Sequence, residues 1–531
     1  MGVDGSRWGR DPIARCSPWR DAPAQSAYTQ YGDSPRGEPR IRETAREPWG
    51  VEMRTTMSSE TGVERRTRAA VAARRLTGRL RGKLLLPGAD GYEPARRVFN
   101  AMIDRHPAVV IRCDTSEDVL AGVDFARAQH LPVTVKAGGH GVAGRAVCDG
   151  GAMLDLSAMK IVAVDRGQRT AVVGPGVTLR DLDRETQSFG LATPTGVVSM
   201  TGLSGLALGG GLGWLNGLYG LTCDNLMAAD VVTASGARVV ASDDENPELL
   251  WGLRGGGGNF GVVTSFQFRL HPVGTVLGGA VTYPARKARA ALRLYHEFAS
   301  ACPDELSTAL SLSRPGGGEA AVSIAVCYPA QPEKADKLLQ PLLSLGPEAN
   351  GIQPMSYQTL QSAADEGFPA GQHHYWKSGY VTDIDDALID VFLDHITRMP
   401  SPVSGIGLQQ LHGVAGRVDP SATAFPHRGD RYDCLILSQW PDPADSEHNI
   451  AWTNELFDAL QPFLGSGVYV NNLGDEGDQR TRQAYGHNYD RLAALKTQYD
   501  PTNLFRHNQN IKPLSATPNV RHRLHPPADS R

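Results

Sequence analysis

The chain has 531 residues, 41% of them hydrophobic and 21% charged, with a formal net charge of -4. That length exceeds what one core supports, so two or three domains are expected. The weak charge offers no field for nucleic acid or an anionic membrane, which excludes both as partners.

Seven scattered cysteines include no C-x-x-C pair and no zinc-like spacing, which argues for reduced thiols in a cytoplasmic compartment and against a metal site. No stretch approaches the roughly 18 apolar residues of a membrane span. Residues 1 to roughly 68 mix Arg, Pro, Gly and Ser with few periodic apolar positions, and a disordered extension is expected over 1–75. Met53 and Met57 leave a downstream natural start open. Arg65-Arg66 is followed by too short an apolar run for an export signal.

Order is expected from 82–92 onward. Residues 109–113 read as a strand, and Thr115 with Asp118 as a capping box opening a helix that buries Val119, Val123 and Ala126. A strand over 132–137 then feeds Gly138-Gly139-His140-Gly141. Successive N–H groups of such a turn converge on an anion, while the imidazole can act as nucleophile, metal ligand or proton carrier. A plain tight turn is the alternative.

Further strands are expected at 169–173 and 262–270, the latter burying Val262, Thr264, Phe266, Phe268 and Leu270. Thr178 is read as the cap of a helix that Gly190 ends, and Ser235-Gly236 as a hairpin turn. Gly202, Gly205, Gly209, Gly210, Gly211 and Gly213 allow main chain to pack against a flat ring or a pyrophosphate, but no strand precedes them and a Rossmann reading is poor. From 276 to 465 strand-like and helical segments alternate, and 480–499 reads as one helix closed by Asp500-Pro501. Residues 516–531 are expected to be frayed.

The elements Lys136-Ala-Gly-Gly-His140, the glycine run continuing into Tyr219-Gly-Leu-Thr-Cys-Asp-Asn225, Leu253-Arg-Gly-Gly-Gly-Gly-Asn-Phe-Gly261, Thr423-Ala-Phe-Pro-His-Arg428, Tyr469-Val-Asn471 and Asn503-Leu-Phe-Arg-His-Asn-Gln-Asn510 occur in one order. Together they resemble the berberine-bridge-enzyme-like FAD-linked oxidases of the vanillyl-alcohol-oxidase superfamily, over roughly 82–515. The resemblance implies an α+β chain: a PCMH-type FAD-binding domain of two α/β subdomains (82–275), an inserted α+β substrate domain with an antiparallel sheet (276–465), and a segment (466–515) that returns to the flavin side.

It also implies FAD bonded covalently through His140. Around the cofactor it places Lys136, Gly138, Gly139, Gly141, Val198, Thr201, Gly202, Gly205, Gly210, Gly211, Asn225, Gly261, Val262, Asn471 and Asn508. Val198 stands where many members carry a second, cysteine attachment, so a single bond is expected. Thr201 stands where the family controls oxygen approach, and its Val-like volume suits entry of dioxygen. The implied activity is an oxidase taking hydride from an alcohol, a sugar or a natural-product C–H to flavin N5, with dioxygen reduced to hydrogen peroxide, in a monomer or homodimer. A dehydrogenase using another acceptor and a flavin-carrying binding protein are the alternatives.

The catalytic base is less legible. Relatives commonly carry a tyrosine one residue after the Tyr-x-Asn segment, whereas this chain has Asn472, an amide that orients but does not accept a proton. On a strand, Tyr469 would share a face with Asn471, with Asn472 opposite. Tyr375 is therefore the candidate, with Lys377 on the same side lowering the phenol pKa; His373 and His412 are further options. Trp214, Tyr219, His427 and Arg428 are read as packing and support.

Overall fold

The helix Ser116–Ala128 starts as its sequence prescribes: the Thr115 hydroxyl accepts the Asp118 N–H at 3.4 Å, and the Asp118 carboxylate accepts the Thr115 N–H at 3.1 Å. Thr178 and Asp181 open the helix Leu179–Gln187 in the same reciprocal way. These elements belong to a computed structural model that describes residues 62–329 and 335–515. The disorder expected before 62 and after 515 lies outside the described residues.

The expectation of disorder up to residue 75 is corrected by a helix at Gly62–Ala73 and a turn at Arg74–Leu76. Ala69, Ala73 and Leu76, spaced as one helical stripe, are buried against the core that also holds Val109 and Val119. The surrounding arginines masked that stripe in the composition.

Four strands form the first sheet: β1 (Lys83–Leu85), β2 (Val109–Arg112), β3 (Val133–Lys136) and β4 (Ala152–Asp155), in the order β1-β2-β4-β3. β4 runs parallel to both β2 and β3, and the helix Ser116–Ala128 makes the crossover from β2. The next strands are β5 (Val162–Asp165), β6 (Thr170–Val173), the short β7 (Leu191–Ala192), β8 (Leu226–Val232), β9 (Arg238–Ser242), β10 (Val262–Arg269) and the short β11 (His271–Pro272). Five of them make an antiparallel sheet ordered β5-β6-β10-β8-β9, while β7 pairs with β11. Gly236, at φ 84°, turns the β8–β9 hairpin, and Val262, Thr264, Phe266 and Phe268 are the buried alternates of β10, as expected.

A third, larger sheet follows: β12 (Thr275–Pro284), β13 (Ser307–Ser313), β14 (Ala321–Tyr328), β15 (Ala349–Asn350), β16 (Gln353–Ser356), β17 (His373–Val381), β18 (Gly405–Leu411) and β19 (Arg431–Trp440). All pairs are antiparallel, in the order β15-β12-β14-β13-β18-β19-β17, with β16 also on β12. Leu310, Leu312, Ile324, Ile406 and Ile436 turn one face toward Tyr295, Leu388, Trp452 and Leu456 of its covering helices. The alternate positions face the other way. One cross-strand row on that second face runs Ala325, Ala309, Gln409, Asp433, Tyr380, and the next runs Ser323, Ser311, Gly407, Leu435, Ser378.

Two expectations fail at the C-terminal side. The helix read over 480–499 is two, Gly477–Tyr485 and Tyr489–Tyr499, because Gly486 takes φ 48° and breaks the ladder between them. Tyr469–Asn472 is no strand; Val470–Asn472 is a 3-10 turn, which brings Asn471 and Asn472 to the same cavity. Beyond, Lys496 and Asp500 form a fully buried ion pair at 2.7 Å. Lys496 also donates to the carbonyls of Asn259 and Phe505, and Asp500 accepts the N–H groups of Leu504 and Phe505. This knot fastens the stretch after 500 to the glycine loop at 255–261.

Asp183, on the helix Leu179–Gln187, is buried with only Gln361 Nε2 on its carboxylate, at 3.3 Å. Burial pushes its carboxyl up to about 7. A raised carboxyl favours the fold while protonated, so stability drains away as pH climbs from the unfolded value near 4 through about 7. Asp183→Asn is therefore expected to be more stable than the parent at pH 8, by on the order of 2 kcal/mol. The gain should grow between pH 4 and 7 and level off above; thermal melts across that range would show it, and a pH-independent difference would refute it.

Candidate functional site

β3 ends at Lys136 and the chain turns sharply through 137–141. Gly138 and Gly202 touch back to back: a Cβ on either would lie 2.5 Å from the other's backbone nitrogen. Gly141, Gly205 and Gly258 are different. A Cβ there would meet nothing within 4 Å, and none of them needs positive φ. All three line a cavity of about 710 Å³ that extends from the first sheet to the large one. Protein packing does not demand glycine at these three positions; bare main chain beside open space suits a large flat or phosphate-bearing group at contact distance.

His140, in the turn, lines this cavity, and its Nε2 is buried without a partner. Its ring stacks on Phe99 at 4.0 Å, and burial pulls its pKa down to about 4, so the imidazole is neutral at physiological pH. Gly138, Gly139, Gly141, Val198, Thr201, Gly202, Gly205, Gly261, Val262, Asn471, Asn472 and Asn508 join it along the cavity wall.

Four expected binding residues serve the wall from behind instead. Lys136 donates to the carbonyls of Ala95 and Arg97 at 2.6 and 2.8 Å, pinning the strand that carries the turn. Gly210 lies under the Phe425 ring, where a Cβ would sit 2.9 Å away. Gly211 N–H donates to the Tyr469 hydroxyl at 2.9 Å. Asn225 donates to the carbonyls of Tyr219 and Leu221 and bonds His271 at 2.7 Å. Trp214 does line the cavity, His427 holds the carbonyls of Gln483 and Ala484, and Arg428 is buried on Asp224 at 2.7 Å.

The candidate base is corrected. Tyr375 and Lys377 do share a side of β17, with the ammonium 5.6 Å from the ring, but it is the helix-covered side. Tyr375 donates to Asn454 at 3.1 Å and Lys377 pairs with Glu476 at 2.8 Å. Strand alternation sends Trp376, between them, to the cavity. Tyr469, with its hydroxyl oxygen accepting Gly211 N–H, Leu212 N–H and Asn471 Nδ2, is pushed up to about 12 by burial and stays neutral.

The acid that the cavity does hold is Asp433, absent from the sequence expectations. It lies in the row between Gln409 and Tyr380, 3% exposed, and burial lifts its carboxyl to about 7. Asn472 Nδ2 donates to its Oδ2 at 2.6 Å, while Oδ1 is buried without a partner. An acidic side chain in Tyr432-Asp433-Cys434-Leu435-Ile436, a segment otherwise reading as core strand, was the signal that could have exposed it. The cavity thus brings a neutral imidazole, bare main chain and a buried carboxylate into one lining.

Residues 107–242 match the FAD binding domain family, and residues 468–512 match the berberine and berberine-like family. An FAD-linked oxidoreductase of Dictyostelium discoideum is 35% identical over 441 residues, covering 82% of this chain and 95% of that protein. The (R)-6-hydroxynicotine oxidase of Paenarthrobacter nicotinovorans is 30% identical, over 82% of this chain and 97% of its own. The crystal structure of 6-hydroxy-D-nicotine oxidase from Arthrobacter nicotinovorans superposes with a TM-score of 0.76 at 29% identity, covering 82% of this chain and 98% of that one.

Proposed function

Because the chain belongs to the FAD-linked oxidoreductases of the berberine-bridge-enzyme-like family, we propose that it is an oxidase that removes hydride from a C–H bond bearing O–H or N–H, with Asp433 as the proton acceptor and His140 as the single covalent anchor of FAD. The glycine walls at 141, 205 and 258 fit the cofactor's flat ring and phosphates. When bound, FAD supplies the hydride acceptor.

The chain's own residues do the rest. Asp433, whose Oδ1 is buried without a partner, takes the substrate's hydroxyl or amine proton, and Asn472 fixes the carboxylate by holding Oδ2. Asn472 thereby orients the base rather than replacing it. Tyr469, tied to three donors, and Asn471 stiffen the wall where the two glycine clusters meet the large sheet. Val198, a valine, offers no sulfur for a second bond. The observation that carries this reading is the buried, half-satisfied carboxylate of Asp433 in the same cavity as His140. The 30% identity to a hydroxynicotine oxidase supports dioxygen as the acceptor.

A panel of both 6-hydroxynicotine enantiomers, hydroxylated N-heterocycles, aryl alcohols and sugars tests it. A compound that bleaches the flavin anaerobically is expected to drive oxygen uptake with formation of peroxide in equal amount. Bleaching without oxygen uptake would overturn the oxidase reading in favour of a dehydrogenase.

A further inference from the structure

His140 is flanked by Gly139 and Gly141, so no neighbouring side chain along the turn restrains its ring. An imidazole in that position samples broad χ2 rotation. The restraint comes from a distant loop. Phe99 stacks on His140 at 4.0 Å and 14°, and its opposite face stacks on His374 at 4.2 Å and 21°. Phe99 N–H donates to Gly139 O at 3.0 Å, fixing the aromatic ring beside the turn. Asn100, 3% exposed, then clamps both partners: its Nδ2 donates to the carbonyls of Val142 and His374, and its Oδ1 accepts the His374 N–H.

His374 itself is 1% exposed, and neither ring nitrogen has a partner. Nothing in its hydrogen bonding accounts for an imidazole there; its ring faces do, against Phe99 on one side and edge-on to Trp376 at 5.7 Å. The three rings make one column that runs from the attachment turn to the floor of the large sheet.

We propose that Phe99, backed by His374, is a positioning residue for covalent flavinylation, fixing the plane of the His140 imidazole that would bond to the 8-methyl carbon of the isoalloxazine. This rests on His140 being the point of attachment. In that reaction a methyl C–H and the imidazole N–H are replaced by a C–N bond. Two protons and two electrons are released, and dioxygen takes them up as hydrogen peroxide. The protein's share is geometric: a reacting atom held in line needs no search, and loss of alignment slows the step without changing its chemistry.

The test uses the full chain made in riboflavin-limited cells and then supplied with FAD in air. The adduct on the His140 peptide is followed over time by mass spectrometry, and non-covalent FAD uptake by fluorescence quenching. Phe99→Leu is expected to attach FAD about tenfold more slowly while its initial uptake stays close to that of the parent. Phe99→Tyr and His374→Phe, which keep the column of rings, are expected to match the parent, and His374→Ala to fall between. Attachment by Phe99→Leu at the parent rate, or equal loss in Phe99→Tyr and Phe99→Leu, would overturn the proposal. A Phe99→Leu protein that takes up no FAD leaves the decision to His374→Ala against His374→Phe: equal rates overturn it, slower Ala supports it. A parent chain with no adduct on that peptide instead refutes the attachment reading itself.

Discussion

Asp433→Asn is expected to slow anaerobic bleaching of the flavin by substrate by about 10²- to 10⁴-fold, the range that a positioned proton acceptor contributes. The replacement is isosteric, and its amide oxygen still accepts the Asn472 Nδ2 hydrogen bond, so the fold and flavin content should hold. The pH profile makes the test specific. Burial lifts Asp433 to about 7, so the parent carries a neutral acid at pH 5 and a carboxylate at pH 8. Only the carboxylate accepts a proton. Reduction by the parent should therefore rise through pH 7, and the Asn variant should be slow and flat across the same range. A variant within about threefold of the parent would remove Asp433 from the mechanism.

The second large effect is all-or-none. The parent is expected to keep its yellow colour in an acid precipitate, with an FAD-sized adduct on the peptide containing His140, whereas His140→Ala should release all colour to the supernatant. With burial holding its pKa near 4, His140 is unprotonated and nucleophilic at neutral pH, and the turn bears no competing side chain. Removing the tether should also make the flavin a weaker oxidant, read as a negative shift of its midpoint potential and slower reduction by the same substrate. Colour retained by precipitated His140→Ala would place the bond elsewhere.

Local signals were legible where one short segment decides its own shape. Thr115 with Asp118 caps one helix and Thr178 another, Gly236 turns a hairpin, and β10 alternates, all as read from sequence. The glycines were legible only in part: Gly141 and Gly205 border open space, whereas Gly210 and Gly211 pack against Phe425 and Thr222, and residue type alone does not separate the two uses. The misreadings share a cause. A period of two says that Tyr375 and Lys377 lie together, but β17 is covered on both faces, so nothing in the alternation says which face meets the cavity. Asn472 looked like a lost base because its partner Asp433 lies 39 positions away. The break at Gly486 and the turn at Val470–Asn472 depend on packing against other segments, which no local pattern records.

The buried knot of Lys496 and Asp500 bears on when the protein becomes competent. Phe505, His507 and Asn508 complete a wall begun by residues 137–141, and the knot that seats them comes late in the chain. During translation the earlier sheets can fold as they emerge, since domains generally fold from the N-terminal side as synthesis proceeds. The ribosome must nonetheless deliver Asn508 before that chamber has all its sides. A nascent polypeptide stalled short of Lys496 thus lacks one side of the chamber that its other residues already frame.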